Sequence, residues 1–549
     1  MKKYSLINNV LGWVVFLIAT TVYLLTAEPT VPWWDCGEYT ATADKLQVGH
    51  PPGAPTFQLI GSLFSIFAGS DTSLVAYAMN AMSAICSGFT ILFLFWTITM
   101  LAKKLVKNKE EMTLGQMIAI FASGVVGSLA YTFSDTFWYS AVESEVYAMS
   151  SCFTAISFWA ILKWEAEADD KHNLRWLILI AFLIGISIGV HLLNLLAIPA
   201  ITYVFYFKKY PNVEKNKKRN FILVGIISML LVAIILYFIV PYIVIFAGKF
   251  EIFFTNSIGL PFNTGTIVYF ALLIGLLVWG VWYSIKKQKV ILNTALLSVL
   301  FILIGYTTFF VLVIRSNANT PINENAPKDA TALLTYLNRE QYGYTPLFHG
   351  QYYNAMVVDQ QESSSKYIKD KESGKYIEVK QRGKLVYESD KTTIFPRMWS
   401  NDESRNHPTY YKMWAGIDEN SDRKPTFAEN LTYFFRYQVN HMYWRYFMWN
   451  FAGRQNDIQS HGLNLSGNEP TNVSNGTKDL LHGNWITGID FIDELRLGPQ
   501  DNLPVDLANN AGKNKLFCLP LLLGLAGLIF HIKKSPKDSF VVFLLFFMT

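Results

Sequence analysis

Charge is scarce in this chain. Only 16% of its 549 residues are Asp, Glu, Lys or Arg, where a soluble domain carries about a quarter. The net charge is +5 and the basic residues sit in short clusters, which disfavours nucleic-acid binding, since that needs a continuous basic face. Cysteine is nearly absent. Cys36, Cys86, Cys152 and Cys518 show no metal-ligand spacing; Cys36 and Cys152 can either pair or stay free thiols, and free thiols are the simpler expectation. P-loop, H-E-x-x-H and dinucleotide fingerprints are all missing, which argues against an energy-coupled pump and against those enzyme classes. No inverted repeat of the secondary-transporter kind is evident. The first apolar run lacks a small-residue cleavage site and reads as a retained anchor.

Apolar and aromatic residues are abundant instead. The chain is 52% hydrophobic, with 40 Phe, 29 Tyr and 15 Trp, the composition of a mostly α, polytopic helical membrane protein with aromatic interface belts. Runs long enough to span lie at 9–27, 75–101, 115–133, 149–165, 174–190, 192–207, 220–246, 266–285, 290–314 and 514–531, given that a span takes roughly 17–25 apolar residues. An eleventh begins near Ser539 and stops inside its apolar run at Thr549, so a partial sequence is expected. Lys2-Lys3, Lys103-Lys104 with Lys107, Lys208 to Arg219, Lys286 to Lys289 and Lys533 to Lys537 fall in alternate loops. That pattern puts them in the cytoplasm if the apolar stretch 54–69 lies along or dips into the outer interface rather than crossing. Segments 28–74, 134–148, 247–265 and 315–513 are then outside.

Three parts follow: a transmembrane module over 1–314, an α+β outer domain over 315–513, and further transmembrane helices over 514–549. In the outer domain, Tyr367-Ile368-Lys369 and Tyr376 to Val379 flank the turn Lys371 to Gly374 and predict a β-hairpin. Residues 425–453 predict an aromatic-rich helix, suited either to the headgroup layer or to packing within the domain. Glycosylation-type triplets occur at Asn430, Asn464, Asn472 and Asn475, as chance allows in an Asn-rich segment.

The residues with chemical potential follow the first span. Trp33-Trp34-Asp35-Cys36-Gly37-Glu38 is followed by His50-Pro51-Pro52-Gly53-Ala54-Pro55. Helical i, i+3 spacing would put Asp35 and Glu38 on one face, and a carboxylate there can take a proton from a hydroxyl. His50 suits a polar anchor that orients a carboxylate or binds phosphate; no second histidine lies at metal spacing. A second acidic group holds Glu143, Glu145 and Tyr147; on a helix the two acids would face different directions. His191 and Asn194 lie between two apolar runs, and Arg315 ends another, where it either meets a lipid phosphate or snorkels to the headgroups. Arg339 to Gly343 with His349 form a polar knot without an assignable role.

The D-x-G-E pattern at Asp35–Glu38 followed by His50-Pro51-Pro52-Gly53 after one N-terminal span resembles the protein O-mannosyltransferase-like membrane family, glycosyltransferase family 117. The resemblance extends over residues 1 to about 345. It implies a C-type glycosyltransferase fold in a bacterial inner membrane, with the active site and outer domain facing the periplasm. It also implies a polyprenyl-phosphate-linked sugar donor, a hydroxyl acceptor on protein Ser/Thr or a glycan, and inversion at the sugar carbon. Asp35 is then the base and Glu38 its partner. His50 and Arg315 become phosphate contacts, and Glu143, Glu145, Tyr147, His191 and Asn194 fit substrate or donor binding. Family members tend to carry a small residue where Cys36 stands. No resident metal site is expected, although the two acids can bind a divalent cation. The competing readings are a transporter or flippase of lipid-linked saccharides, which would place charges at the bilayer midplane, and a non-catalytic envelope anchor.

Overall fold

The computed structural model describes residues 2–108, 111–211, 217–343, 346–361, 365–380, 383–394, 398–465 and 476–549. The triplet at Asn472, parts of those at Asn464 and Asn475, and Lys215 lie outside the described residues. The architecture is mostly helical and polytopic, with a few two-stranded sheets. Seven helices among the described residues are long and apolar enough to cross a membrane: Lys2–Thr26, Thr72–Lys104, Leu114–Thr132, Val146–Ala166, Lys217–Ser257, Thr264–Lys286 and Val290–Asn317.

The remaining expected spans are shorter helices. The run at 174–190 forms Leu174–Ile188, and Gly189 caps its end. The run at 192–207 divides into a 3₁₀ turn, Leu192–Ala197, and a helix Ile198–Lys209 with Pro in its first turn, a position where the missing N–H costs no helical hydrogen bond. Leu519–Lys534 and Pro536–Met548 are the last two. One expected boundary also moves: 247–257, read as part of an outer loop, continues the helix Lys217–Ser257 through π turns at Ile235–Ile239 and Phe253–Ser257.

By contacts the chain forms two compact units. The first holds residues 2–342, 366–379 and 530–549. In it Lys2–Thr26 lies against Val75–Lys104 through Ala19, Tyr23, Ala84, Ile91 and Phe95. Leu174–Ile188 crosses Val290–Tyr306 at two glycines: a Cβ on Gly185 would run into the Ile302 carbonyl, and one on Gly305 into the Ile186 amide. Small residues allow such close backbone approach. The short helices Cys36–Asp44 and Pro55–Ser65 rest on Ala43, Phe57, Met79, Met82, Val146 and Met149.

The predicted hairpin forms as strands Ser365–Asp370 and Lys375–Lys380, and it packs within this first unit. Asn256 donates to the Tyr376 carbonyl at 2.7 Å and accepts from its amide at 2.8 Å. The Tyr376 hydroxyl donates to Glu251 at 3.3 Å. Glu251 is fully buried and also accepts from the Asn263 and Thr266 amides at 2.5 and 3.0 Å, so its carboxylate is well satisfied.

The second unit comprises Gly343–Ser365 and Lys380–Ile529. Its core gathers Tyr353, Tyr411, Trp414, Tyr433 and Leu463. The predicted aromatic helix runs over 427–451, with a π-helical middle Phe434–Trp444. It starts at Thr426, whose side chain exchanges hydrogen bonds with Glu429 in a capping box.

The glycine crossing gives a direct test. Gly185→Ala should lower the thermal midpoint in detergent by overpacking, a cost of about 1–3 kcal/mol. Gly275→Ala, where an added Cβ meets open space, should leave the midpoint unchanged or raise it, since alanine favours helix. Equal behaviour of the two variants would show that the crossing is not tight.

Candidate active site

Asp35 is the N-cap of the helix Cys36–Asp44, and Glu38 lies in its first turn. The positive end of the helix dipole favours carboxylates at both positions. Their i, i+3 spacing turns them to a common neighbour, and that neighbour is His50. Its Nδ1 lies 3.0 Å from Glu38 Oε2 and its Nε2 lies 3.8 Å from Asp35 Oδ2. The His50 backbone N–H also donates to Glu38 Oε1 at 2.5 Å. Glu38 is thus held by both the main chain and the ring of one residue, while the Asp35 side chain remains 60% exposed. Trp33 and Trp34 beside it are largely exposed.

Room for this grip depends on Gly49, where a Cβ would stand 2.5 Å from Glu38 Oε1. The Tyr39 ring lies 5.5 Å from the His50 ring and 5.2 Å from Phe57, which joins the pair to the core below. After His50 the chain turns sharply. Gly53 has φ +93°, and a Cβ there would meet the Tyr336 hydroxyl and Leu312. Pro55 then starts the next helix. Thr56 fastens this helix to the turn at 186–189, its amide donating to the Gly189 carbonyl at 2.8 Å and its hydroxyl to the Ile186 carbonyl at 3.0 Å.

A distant segment straps the loop between the motifs. Arg315 donates from Nε to the Leu46 carbonyl at 2.5 Å and from Nη2 to the Lys45 carbonyl at 3.0 Å, satisfying acceptors at the end of a short helix. Ile322 donates to the Gln47 side chain at 2.6 Å. Val48 pairs with Asn323 as a parallel bridge, its amide donating to the Ile322 carbonyl and its carbonyl accepting from Glu324. The Tyr336 hydroxyl donates to the Gly49 carbonyl at 2.6 Å.

The second acidic group has a different local structure from the expected one. Residues 142–145 form a bend, not a helix, and Glu145 is the N-cap of Val146–Ala166. Periodicity therefore does not separate Glu143 from Glu145, and both are half-buried. The Thr40 and Ser144 hydroxyls meet at 3.2 Å and tie this bend to the Cys36–Asp44 helix. The Tyr147 ring lies 5.5 Å from His191. His191 accepts from the Leu193 amide through Nδ1 at 3.2 Å, which leaves its proton on Nε2 when neutral. Asn194 turns into the protein, fully buried, and donates to Ser187 Oγ at 3.1 Å. All four cysteines are free thiols. No group of three or more His, Cys, Asp or Glu among the described residues converges to hold a metal ion.

Electrostatics divides these acids. Burial pushes Glu38 up, but the two His50 hydrogen bonds outweigh it and hold Glu38 below the usual carboxylate value. The Glu38 hydrogen bond raises His50 against the opposing effect of burial, helped by the charges of Glu38 and Asp35. Burial, with Glu145 nearby, lifts Glu143 to about 7. Burial also raises Glu145, against its hydrogen bond from the Val146 amide. Burial and these two acids push the Cys36 thiol up to about 12, so it is no nucleophile near neutrality.

Sequence reasoning did not single out Tyr39, Gly49, Gln47 or Tyr336. Gly49 and Gln47 lie beside a named motif and were within its reach. Tyr336 stands 286 residues from His50, and no local pattern connects them.

Residues 35–214 match the family described as the protein O-mannosyl-transferase TMEM260 N-terminal domain. That is the kind of family the two motifs resemble, and the matched stretch begins at Asp35 and contains every candidate above except Arg315. Residues 343–435 match a family of unknown function, DUF8416. Protein O-mannosyl-transferase tmem260 of Dictyostelium discoideum is 28% identical over 156 residues, 28% of this chain and 17% of that protein. Protein O-mannosyl-transferase TMEM260 of Mus musculus is 25% identical over 175 residues, 32% of this chain and 22% of that protein. The similarity thus spans about a fifth of each relative's length. No solved structure matches.

The Glu38–His50 pair fixes a pH window. Glu38, lowered in the fold, contributes stability above about pH 4.3 that is lost as pH falls through its folded value. His50, raised in the fold, contributes stability below about pH 6.5 that is lost as pH rises through its folded value. Both contributions are complete between those limits. By NMR, with His50→Gln used for assignment, the His50 ring should titrate above an ordinary imidazole and move down in Glu38→Gln. A His50 titration unmoved by Glu38→Gln would refute the pair.

Proposed function

We propose that this chain is a membrane glycosyltransferase of the C-type class that moves a sugar, mannose by the names of its relatives, from a polyprenyl-phosphate donor to a hydroxyl of a protein or glycan. The observation that carries this reading is His50 held between Asp35 and Glu38 at the start of the family-matched stretch. The three side chains take up different tasks. Asp35 is the exposed carboxylate and serves as general base. Glu38 is committed to His50 and keeps it cationic at higher pH than a free imidazole.

The reaction balances on these groups. The acceptor hydroxyl oxygen forms a bond to the anomeric carbon from the face opposite the phosphate. The bond from that carbon to the phosphate oxygen breaks, its electron pair stays with the phosphate, and the hydroxyl proton passes to Asp35. The configuration inverts. The His50 cation offsets charge gathering on the leaving phosphate, an electrostatic role of the kind that lowers barriers most. Glu143, with a value of about 7, can exchange a proton near neutrality and is suited to relay or return it. Arg315 acts on this reading through the loop it straps; two of its guanidinium nitrogens are committed to the Lys45 and Leu46 carbonyls.

The topology supports a lipid-linked donor. On this reading, with 54–69 not crossing, the positive clusters favour the Asp35 loop lying on the side away from the cytoplasm, the periplasm in a bacterium, where a soluble nucleotide sugar is not supplied. A sugar carried on a lipid phosphate reaches that face.

Purified wild-type protein and Asp35→Asn, each with radiolabelled polyprenyl-phosphate-mannose and a Ser/Thr peptide, test the proposal. Wild type should transfer label with the linkage opposite to the donor's. Asp35→Asn should lose about 10²–10⁴-fold in rate, the usual contribution of a general base. Equal rates would remove Asp35 as base. Absence of transfer by wild type across a panel of lipid-linked sugars would overturn the transferase reading.

A further inference from the structure

The aromatic helix over 427–451 presents a second surface, independent of the carboxylate site. Tyr433, His441, Arg445, Met448 and Trp449 are buried against its own unit, at the spacing of one helical face. Phe435, Val439, Met442, Tyr443, Trp444 and Tyr446 are between 36% and 61% exposed, with the polar Arg436 and Asn440 exposed among them. Exposed large apolar and aromatic side chains gathered on one helix mark an interaction surface.

What covers it is indicated by the end of the same helix. Directly after Phe451, Gly453-Arg454 pairs antiparallel with Asn514-Lys515, and the Leu516 amide donates to the Ala452 carbonyl at 2.9 Å. Three residues later the helix Leu519–Lys534 begins. Its sequence is LPLLLGLAGLIFHIKK, and none of its residues is buried in protein. Its apolar stretch over 519–530, with no residue fully buried in protein, suits a bilayer. The three-residue connection is at most about 10 Å long. The end of the aromatic helix therefore cannot leave the neighbourhood of the point where Leu519 enters the membrane.

We infer that the exposed side chains of Phe435, Val439, Met442, Tyr443 and Tyr446 lie in the lipid headgroup layer of the leaflet entered by the Leu519–Lys534 helix. The interfacial layer is about 5–8 Å deep on each side of the hydrocarbon, and Tyr, Phe and Met half-sunk there remove apolar area from water while the Tyr hydroxyls stay wet. The antiparallel pairing of Gly453-Arg454 with Asn514-Lys515 fixes the height of the end of the aromatic helix relative to the membrane-entering helix.

Photo-crosslinking reads the occupant directly. Full-length protein carrying p-benzoylphenylalanine in place of Tyr443, or separately Val439, is reconstituted in phosphatidylethanolamine–phosphatidylglycerol vesicles and irradiated. Mass spectrometry should find peptides heavier by one phospholipid at both positions, and no such adduct at the exposed loop residue Asn420. Crosslinked dimers in place of lipid adducts, no adducts at either helix position, or equal lipid adducts at Asn420 would each overturn the assignment.

Discussion

The grip of His50 on Glu38 is the constraint around which the functional region is arranged. One carboxylate oxygen accepts the His50 amide and the other meets its ring, so the side chain of one motif fixes both main chain and side chain of the other. Such charge-assisted bonds are worth roughly twice a neutral one, and they are made here in partly buried surroundings where screening is weak. A Cβ at position 49 would press on the Glu38 carboxylate that makes these bonds. The grip also explains why two acids three residues apart are not equivalent: the first-turn acid is consumed by the pair, and the N-cap acid is left open to a ligand.

The same region sorts three carboxylates by environment, Glu38, Glu143 and Glu145. Glu38 is pulled down by hydrogen bonds, and Glu143 is pushed up to about 7 by burial and by its neighbour Glu145. Groups driven apart in this way can hold different protonation states at one pH, which is the condition for acid and base roles to coexist. Cys36 sits among these acids with a thiol too basic to react, so its presence inside the D-x-G-E pattern is chemically silent and its burial is a matter of packing.

Much of this was legible in the sequence where the cause is local. Low charge and long apolar runs announced a polytopic helical protein, and the i, i+3 spacing of Asp35 and Glu38 announced a shared face. The hairpin around Lys371–Gly374 and the aromatic helix were readable from turn residues and composition. Local patterns failed where tertiary context decides. The apolar run at 192–207 divides into a 3₁₀ turn and a helix with Pro199 in its first turn, and hydropathy counts residues without seeing that division. Glu143 and Glu145 were weighed as helical neighbours, but the bend there follows from the cap of the next helix. Likewise Arg315 was read from its charge at a span end, whereas its hydrogen bonds depend on which carbonyls the fold brings to it.

The largest gap between sequence and site is one of distance along the chain. The family match stops at residue 214, yet the loop carrying His50 is strapped by Arg315, Ile322, Asn323 and Tyr336. Closing a connection of some 270 residues carries an entropic cost that grows only slowly with length, so a remote segment is nearly as good a strap as a near one once the helices between are packed. The strap also binds mainly through backbone carbonyls and amides, which any sequence provides. It can therefore fix the geometry of the motif loop while leaving little trace in a motif. The residues that confer chemistry are concentrated and recognisable; those that hold them in place are dispersed, and only the folded chain brings the two sets together.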